Sequence, residues 1–344
     1  MPFEFVSKTS LNQPSPDRLT VICRDEIFLF CTIPNIPFTV VQVYTIGTNS
    51  IYSRNVISLF SQKGDAMFHI VKKEKLSDAV LLFEIEAKDI AKKAKAGNFF
   101  VLRINEQGER IPLTIADYDR DKGTITTVFQ KMGKTTHQLG ELNEGDYITD
   151  VIGPLGAPSH IENFGKVVCV GGGVGIAPTY PIARALKEAG NTVVSIIGAR
   201  MKDLIFWEDR MRGVSDELII VTDDGSYGRK AVVTVPLEEQ LREGDGVALV
   251  YAIGPAIMMK FVCVTTRKYN VKTIVSLNSI MVDATGMCGA CRVEVGSETK
   301  FACVDGPEFD GHIVDFDLLM SRQRMYLNEE KIAFDRYKEQ AGVK

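Results

Sequence analysis

Three cysteines and an aspartate near the carboxyl-terminal end of the chain have the spacing of an iron–sulfur site. They follow the pattern Asp283-x4-Cys288-x2-Cys291-x11-Cys303. Plant-type [2Fe–2S] proteins bind their cluster through C-x4-C-x2-C and a distant fourth cysteine, and here an aspartate stands at the first position. The spacing therefore predicts a [2Fe–2S] cluster with the ligands Asp283, Cys288, Cys291 and Cys303.

A structural zinc site is the alternative use of the same cysteines. His312 lies beyond Cys303 and could complete a Cys3His set. Structural zinc sites usually combine two short pairs of Cys or His, whereas this segment has one. Gly286 and Gly289 fit the cluster, because glycines let backbone N–H groups turn toward cluster sulfurs and so help to set a reduction potential.

A glycine-rich loop is the second pattern with chemical meaning. The loop Gly171-Gly172-Gly173-Val174-Gly175-Ile176-Ala177-Pro178 follows the apolar run 167–170 and opens a helical pattern. Glycines let the backbone turn tightly and approach a pyrophosphate, and the helix N-terminus supplies free N–H groups and a favourable dipole. The residues that we expect to contact a nucleotide here are Gly172, Gly173, Gly175, Ala177 and Pro178.

The residues leave the choice between NAD and NADP open. A dinucleotide fold usually binds the adenosine ribose through an acidic residue after the second strand, and Gly198-Ala199-Arg200 stands there instead. Arg200 could contact a 2′-phosphate, which would favour NADP. Asp223 and Asp224 follow the third strand and could accept hydrogen bonds from ribose hydroxyls, which would favour NAD.

The pattern of apolar residues predicts the elements that position these motifs. Residues 67–163 contain short β-type runs separated by Gly and Asp, which predicts a small barrel. Strands and helices alternate over residues 164–262, which predicts a doubly wound parallel sheet. Residues 263–314 form the iron–sulfur segment, and residues 315–344 have helical periodicity. Residues 1–66 carry no motif and are an extension of uncertain status, either a product of an upstream start or a segment that packs on the body.

Composition excludes some classes of function. The 344 residues carry a formal net charge of −4, which argues against a nucleic-acid-binding protein. The first ten residues lack the features of a signal peptide, and prolines break the longest apolar stretch, Ile27–Tyr44. We therefore expect a cytoplasmic protein that contacts neither nucleic acid nor membrane, and whose clustered cysteines bind metal.

Taken in order, these parts resemble the ferredoxin–NADP+ reductase superfamily, in the branch that carries a C-terminal [2Fe–2S] site. The stretches that carry the resemblance are residues 108–117, 171–178, 222–228 and 254–259, together with the Asp283 and cysteine cluster. The chain is similar to the small subunits of NADH-dependent ferredoxin:NADP+ oxidoreductase, also called sulfide dehydrogenase β subunits. The aspartate at the first cluster position favours this family over the electron-transfer subunits of type B dihydroorotate dehydrogenase.

The resemblance implies FAD on the barrel. The superfamily binds FAD through Arg-x-aromatic-Ser/Thr, which corresponds here to Arg110, Pro112, Leu113 and Thr114. Arg110 lies one position early, so a surface arginine is the alternative, and Leu113 replaces the stacking aromatic. Thr114 fits the hydroxyl that faces flavin N5 and is the catalytic residue that the resemblance implies. A second FAD loop is implied at Gly133, Lys134, Thr135 and Thr136.

The resemblance also implies an activity and a partner. A hydride from NAD(H), less readily from NADP(H), would reach the flavin, with Gly254 and Pro255 close to the nicotinamide, and single electrons would leave through the cluster. The partner would be a larger subunit with FAD and [4Fe–4S] clusters that resembles the glutamate synthase small subunit, in an electron-bifurcating heterodimer. The alternatives are a dihydroorotate dehydrogenase electron-transfer subunit, a sulfide dehydrogenase or polysulfide reductase subunit, and a nucleotide-binding module held together by zinc that is not an enzyme.

Overall fold

The computed structural model describes residues 18–23, 26–32, 39–47, 50–57, 68–242 and 246–341. The chain divides into two compact units, residues 1–66 and residues 67–344. Within the described ranges, no helix has both the length and the apolar character that crossing a bilayer requires.

The first unit contains a four-stranded antiparallel sheet. Each strand pairs with the next one in the sequence. The strands are β1 (Arg18–Cys23), β2 (Glu26–Thr32), β3 (Thr39–Gly47) and β4 (Ser50–Ile57). Such pairing needs nothing longer than hairpin connections, because antiparallel neighbours can be joined directly. The assignment of residues 1–66 as an extension stays a prediction.

Eight short strands form the β-rich part of the second unit. They are β5 (Phe68–Lys75), β6 (Val80–Glu86), β7 (Phe99–Arg103), β8 (Arg110–Thr114), β9 (Asp117–Asp119), β10 (Thr124–Gln130), β11 (Tyr147–Ile148) and β12 (Asp150–Leu155). They make two antiparallel sheets, with the orders β11-β5-β6-β10-β9 and β12-β7-β8. Helices α1 (Lys88–Lys93) and α2 (Lys134–Glu141) lie in the connections. The prediction of a β-rich domain of many short strands is confirmed.

Strand β6 shows how the β-rich part is joined to the neighbouring α/β domain. Successive side chains of a strand point to opposite faces. Leu81, Phe83 and Ile85 belong to the core of the β-rich part, whereas Val80 and Leu82 pack in a core shared with the α/β domain. Burial on both faces explains why this strand reads as a continuous apolar run rather than as an alternating one.

The α/β domain alternates strands and helices, as the sequence predicts. Its elements are β13 (Lys166–Gly172), α3 (Ile176–Glu188), β14 (Thr192–Ala199), α4 (Glu208–Gly213), β15 (Glu217–Thr222), β16 (Arg229–Lys230), α5 (Thr234–Arg242), β17 (Val247–Ile253), α6 (Ala256–Arg267) and β18 (Lys272–Ser276). The strands are parallel and lie in the order β16-β15-β14-β13-β17-β18. The order reverses between β13 and β17, and ligands of such sheets bind in the crevice at this switch point.

The cysteine segment leaves this sheet and returns to it. It contains the hairpin β19 (Arg292–Val295) and β20 (Glu298–Phe301), and then β21 (Glu308–Asp310), which pairs antiparallel with β18. Residues 277–307 are therefore an excursion whose two ends are joined by the β18–β21 pair.

The predicted helix over residues 315–344 is two helices in the structure. They are α7 (Phe316–Gln323) and α8 (Leu327–Ala341). The Asp315 carboxylate caps α7 by accepting from the N–H of Leu318 at 2.9 Å. Phe316 and Leu319 of α7 are buried in the α/β core, whereas α8 lies on α2, where Phe334 contacts His137 at a ring distance of 4.5 Å. Two different packing surfaces thus require a break that helical periodicity does not reveal.

A charged cluster joins β9 of the β-rich part to helices α3 and α4. Asp117 contacts Arg184 at 2.8 Å and Arg210 at 3.4 Å. The two guanidinium groups also lie over aromatic rings, Arg184 over Tyr118 and Tyr180 and Arg210 over Tyr180. Because Arg184 and Asp117 are largely shielded from solvent, their ion pair is screened less than an ordinary surface pair, whereas Arg210 is exposed.

We expect Asp117→Asn to lower the free energy of unfolding by about 1–2 kcal/mol, because it leaves the partly buried Arg184 without its carboxylate. Urea denaturation of the purified chain measures the change. Asp78→Asn is the matched control, because Asp78 pairs with Lys75 at an exposed site and should leave stability unchanged. Equal effects of the two substitutions would contradict a specific role for the cluster.

Glu308 in β21 links three parts of the second unit. Its carboxylate accepts a hydrogen bond from Ser159, in the connection between the β-rich part and the sheet. A Cβ at Gly97 would come within 2.9 Å of Glu308 Oε1, so the turn before β7 of the β-rich part also borders the carboxylate. Burial raises the pKa of Glu308 to about 7, although the Ser159 hydroxyl opposes the shift.

Because the pKa of Glu308 is raised in the folded chain, the free energy of unfolding falls as the pH rises. Between about pH 4.5 and 7 the folded chain retains a proton that the unfolded chain releases. The side chain of the Glu308→Gln variant is neutral at both pH values. The free energy of unfolding of this variant should therefore equal that of the wild type at pH 4 and exceed it at pH 8 by up to about 3 kcal/mol. Thermal unfolding at both pH values tests this. Glu294→Gln, at an exposed carboxylate that also accepts from a hydroxyl, is the control; an unchanged pH profile in Glu308→Gln would refute the assignment.

Candidate active site

A cleft of about 1270 Å³ lies between the β-rich part and the switch point of the parallel sheet. Its walls are the end of β8, the loop between β13 and α3, the end of β17, and residues 276–281 after β18. Pockets for one small ligand usually measure roughly 300–1,000 Å³, so this cleft has room for more than one. It unites the two domains that the sequence predicts to bind FAD and a nucleotide.

Most of the predicted binding residues line this cleft. Those in its wall are Pro112, Leu113, Thr114, Thr136, Gly172, Gly173, Gly175, Ala177, Pro178, Arg200, Asp223, Gly254 and Pro255. Those outside the wall are Arg110, Gly133, Lys134, Thr135 and Asp224. The structure therefore brings residues from six separate stretches of the sequence to one site.

Arg110 is exposed at the start of β8, where it lies opposite Arg103 of β7. This position matches the alternative of a surface arginine beside a turn. Further along β8, Thr114 is partly buried and lines the cleft. The apolar side chains of Pro112 and Leu113 line it as well, so β8 presents an apolar surface with one hydroxyl.

The start of helix α2 is organised by local hydrogen bonds. Thr136 Oγ1 accepts from the N–H groups of Met132 and Gly133, at 2.9 and 3.1 Å. The Thr135 hydroxyl donates to Glu109 at 2.6 Å, and Lys134 lies 4.0 Å from the same carboxylate. Thr136 is thus the member of this predicted FAD loop that reaches the cleft.

Steric contacts and backbone conformation account for the glycines of the loop between β13 and α3. A Cβ at Gly175 would overlap the carbonyl oxygen of Ile253 in the neighbouring strand. A Cβ at Gly172 would overlap the Met258 sulfur, and Gly173 has a φ of +55°, which side chains rarely adopt. The loop then enters α3 with no side-chain cap at its first turn. Its free N–H groups are suited to bind a pyrophosphate.

The three candidates for nucleotide selection have different surroundings. Arg200 and Asp223 both line the cleft. Asp224 is turned to Ser226, whose N–H and hydroxyl donate to it at 2.9 and 2.6 Å. These bonds lower the pKa of the Asp224 carboxyl. Asp224 therefore stabilises the turn after β15, and Asp223 is the carboxylate that borders the cleft.

Two of the four predicted cluster ligands are close together. The sulfurs of Cys291 and Cys303 are buried and 3.2 Å apart. Burial and then the neighbouring Cys291 thiol raise the pKa of Cys303 to about 12, whereas the N–H of Gly286 donates to its sulfur. Gly286 and Gly289 have φ values of +84° and +67°, which glycine adopts without strain. Soft thiols with an adjacent N–H donor fit the environment of an iron–sulfur cluster.

Cys288 and Asp283 are not gathered with this pair. Cys288 is exposed, and the Asp283 carboxylate accepts from the N–H groups of Thr285 and Cys288, both at 3.0 Å. Over residues 68–242 and 246–341, no three His, Cys, Asp or Glu side chains are close enough to hold one metal ion. His312, the candidate zinc ligand, instead contacts the Thr266 hydroxyl at 2.9 Å.

The sequence missed the wall formed by residues 276–281. Ser276, Leu277, Asn278, Ser279 and Met281 line the cleft, and Ser279 also lines a second cavity of about 290 Å³ beside Cys288. The sequence analysis did not predict β18, the parallel strand that leads into this segment, and the carboxyl ends of such strands face the ligand crevice.

Two family models match the chain. The oxidoreductase NAD-binding domain matches residues 169–264. The iron–sulfur cluster binding domain of dihydroorotate dehydrogenase B matches residues 278–315. The match boundaries place the cleft wall at the start of the iron–sulfur domain.

Relatives from other organisms cover most of the chain. The dihydroorotate dehydrogenase B (NAD(+)) electron transfer subunit homolog of Thermotoga maritima is 51% identical over 279 residues, which are 81% of this chain and 98% of the relative. The corresponding electron transfer subunit of Geobacillus thermodenitrificans is 31% identical over 249 residues, 70% of this chain and 94% of the relative.

Solved structures show the same fold. The NADH-dependent reduced ferredoxin–NADP oxidoreductase, solved to study flavin-based electron bifurcation, contains a chain that is 49% identical, with a TM-score of 0.75 over 80% of this chain and 99% of that one. Full-length CYP116B46 from Tepidiphilus thermophilus is 14% identical with a TM-score of 0.55, over 71% of this chain and 40% of that one. The second likeness concerns the fold alone.

The fold and the cleft define an oxidoreductase of the ferredoxin–NADP+ reductase type, with an NAD-binding domain and an iron–sulfur domain. The predicted fold class and enzyme class are confirmed. The chain belongs to the family of dihydroorotate dehydrogenase B electron-transfer subunits and their homologues.

We expect Gly175→Ala to abolish measurable NADH binding, because the added methyl would push the loop away from Ile253 and displace the first turn of α3. Isothermal titration with NADH measures the loss. Gly213→Ala is the control, since a Cβ there meets no atom within 4 Å. An NADH affinity within about twofold of the wild type in Gly175→Ala would show that the loop does not form the nucleotide site.

Proposed function

We propose that this chain is the flavin and iron–sulfur subunit of an electron-bifurcating NADH-dependent ferredoxin:NADP+ oxidoreductase. It would move electrons between NAD(H), FAD and a [2Fe–2S] cluster, and on to a larger partner subunit. The observation that carries the proposal is the cleft, which is lined by the predicted flavin strand and the glycine-rich loop and is separated from the Cys288 cavity by residues 276–281.

When bound, the flavin supplies the exchange between two-electron transfer with a nicotinamide and one-electron transfer with a cluster. The residues of this chain would bind the flavin and the nicotinamide and orient them. The apolar surface of Pro112 and Leu113 would pack against the ring, and Thr114 would offer its hydroxyl to N5. Gly254 and Pro255 line the cleft and would border the nicotinamide. A Cβ at Gly254 would meet Met258 and Gly172, so glycine is what lets the end of β17 pack against the glycine-rich loop.

NAD(H) is the proposed nucleotide. Asp223 borders the cleft and can accept hydrogen bonds from both hydroxyls of an adenosine ribose. A carboxylate at this place would repel a 2′-phosphate. Arg200 also lines the cleft, and a single arginine can bind the pyrophosphate as well as it can bind a 2′-phosphate.

The proposed cluster ligands are Asp283, Cys288, Cys291 and Cys303. Cys291 and Cys303 are buried side by side. Cys288 and Asp283 lie on a loop in which Ala284, Gly286 and Gly289 have positive φ values. Each oxygen of the Asp283 carboxylate accepts one backbone hydrogen bond, so a remaining lone pair of either oxygen could bind iron. Cys288 takes part in that loop through its N–H, so its exposed sulfur can become a ligand without breaking those bonds.

The proposed docking surface for the larger subunit includes Cys288. Met287, its neighbour in the sequence, is 87% exposed, and the exposed Met325 and Tyr326 border the same small cavity as Cys288. We also assign the exposed Val282, Val304 and Leu327 to this surface. Exposed apolar side chains that cluster together commonly mark protein interfaces. The partner that we propose is the larger subunit with FAD and [4Fe–4S] clusters that resembles the glutamate synthase small subunit.

An electron-transfer subunit of a dihydroorotate dehydrogenase is the second candidate. It is favoured by the names of the relatives from Thermotoga and Geobacillus. Both candidates predict the same cofactors in this chain and differ in the partner. The subunit that co-purifies with the native chain separates them, because one partner carries [4Fe–4S] clusters and the other would oxidise dihydroorotate.

We expect the full chain, purified without oxygen and reduced with NADH, to give a rhombic S = 1/2 EPR signal at low temperature. Cys291→Ser should abolish the signal, because it removes one of the paired buried thiols. Cys263→Ser is the matched control, since Cys263 is a buried cysteine in α6, before the excursion 277–307 that contains the proposed ligands. Zinc in place of iron, with no signal after NADH or dithionite, would overturn the proposal.

A further inference from the structure

Three buried side-chain polar atoms have no hydrogen-bond partner among the described residues. They are Thr127 Oγ1, Gln240 Oε1 and Ser279 Oγ. A buried polar atom without a hydrogen-bond partner lowers the free energy of unfolding, so each of these three atoms requires a structural explanation. Ser279 differs from the other two because it lines the cleft.

Ser279 is held at this place from both sides. Leu277 donates its N–H to the carbonyl of Pro307 at 2.9 Å. Gln323 of α7 donates to both the carbonyl and the side-chain oxygen of Asn278 at 2.9 Å. The preceding strand, β18, is paired on both edges, with β17 and with β21. The backbone around Ser279 is therefore fixed, and Ser279 is 8% exposed.

Ser279 also marks the boundary between the two redox sites. It lines the large cleft and also the smaller cavity that Cys288, Arg292 and Tyr326 border. The segment that contains Ser279 thus separates the proposed flavin from the exposed cysteine of the cluster loop. An electron that passes from the cleft to this loop by a short route crosses that segment.

We propose that Ser279 donates a hydrogen bond to the flavin ring and so positions and tunes the flavin next to the cluster. This inference rests on the proposed function of the cleft. A resident flavin is the fitting acceptor, because it would satisfy the hydroxyl throughout the reaction cycle, whereas a nicotinamide leaves after each turnover. The flavin ring carries carbonyl oxygens that accept such a bond in both the oxidised and the reduced state.

The bond has two consequences for the flavin. It adds affinity, and it stabilises the reduced ring more than the oxidised ring, since the reduced ring carries more negative charge and hydrogen bonds to charged acceptors are stronger. Ser279→Ala should therefore raise the FAD dissociation constant about fivefold to tenfold and shift the flavin midpoint potential to a more negative value.

The experiment uses the full chain, freed of FAD and titrated with FAD by fluorescence, and then a spectroelectrochemical titration of the flavin. Ser279→Thr keeps the hydroxyl and should stay within about twofold of the wild-type affinity. Thr127→Val is the matched control. It removes a buried, unpartnered hydroxyl from β10 at a position that does not line the cleft, and should change neither quantity.

Several results would overturn the inference. If the wild type binds FAD and Ser279→Ala changes neither the FAD affinity nor the flavin potential, the inference is wrong and the proposed function still stands. Equal losses in the Ala and Thr variants would assign the effect to packing. A change in NADH affinity alone would assign the hydroxyl to the nicotinamide. A wild-type chain that binds no FAD would remove both this inference and the proposed function.

Discussion

The contact between the glycine-rich loop and the end of β17 is the constraint on which the rest of the structure depends. Gly175 lies directly against the carbonyl of Ile253, and a Cβ at Gly254 would come within 3.1 Å of Gly172. The chain order reverses between these two strands, so a crevice opens at their carboxyl ends. Because glycines border it here, the crevice is left open for ligands, and the β-rich part closes it from the other side.

The second constraint is the return of the chain to the sheet after the cysteine segment. Ser276 of β18 pairs with Glu308 of β21, so the whole excursion begins and ends at one pair of residues. This anchoring fixes the first residues of the excursion, 277–281, as the wall of the cleft. It also brings the cysteine loop to the opposite side of that wall. The proximity of the large cleft and the cavity beside Cys288 thus results from one strand pair.

Particular residues show where prediction from the sequence worked and where it did not. The glycine-rich loop was identified because its glycines lie between an apolar strand and a helix, and that order requires no knowledge of distant parts of the chain. Arg110 was assigned to the FAD site from its neighbours in the sequence, and that role stays a prediction; in the structure the residue is exposed at the start of β8, opposite Arg103. The tail was predicted as one helix because periodicity does not register that Phe316 and Phe334 pack against different domains.

The sequence by itself determined the order of domains, the nucleotide loop and the position of the cysteine segment, because each depends on residues that are close together along the chain. Tertiary structure decided which of those residues meet. It joined Thr114, Gly175, Asp223 and Gly254 in one cleft and paired Cys291 with Cys303. It also left the Ser279 hydroxyl without a partner among the described residues. These outcomes depend on strand order and on packing between domains, and such contacts between distant residues leave no periodic or local pattern in a single sequence.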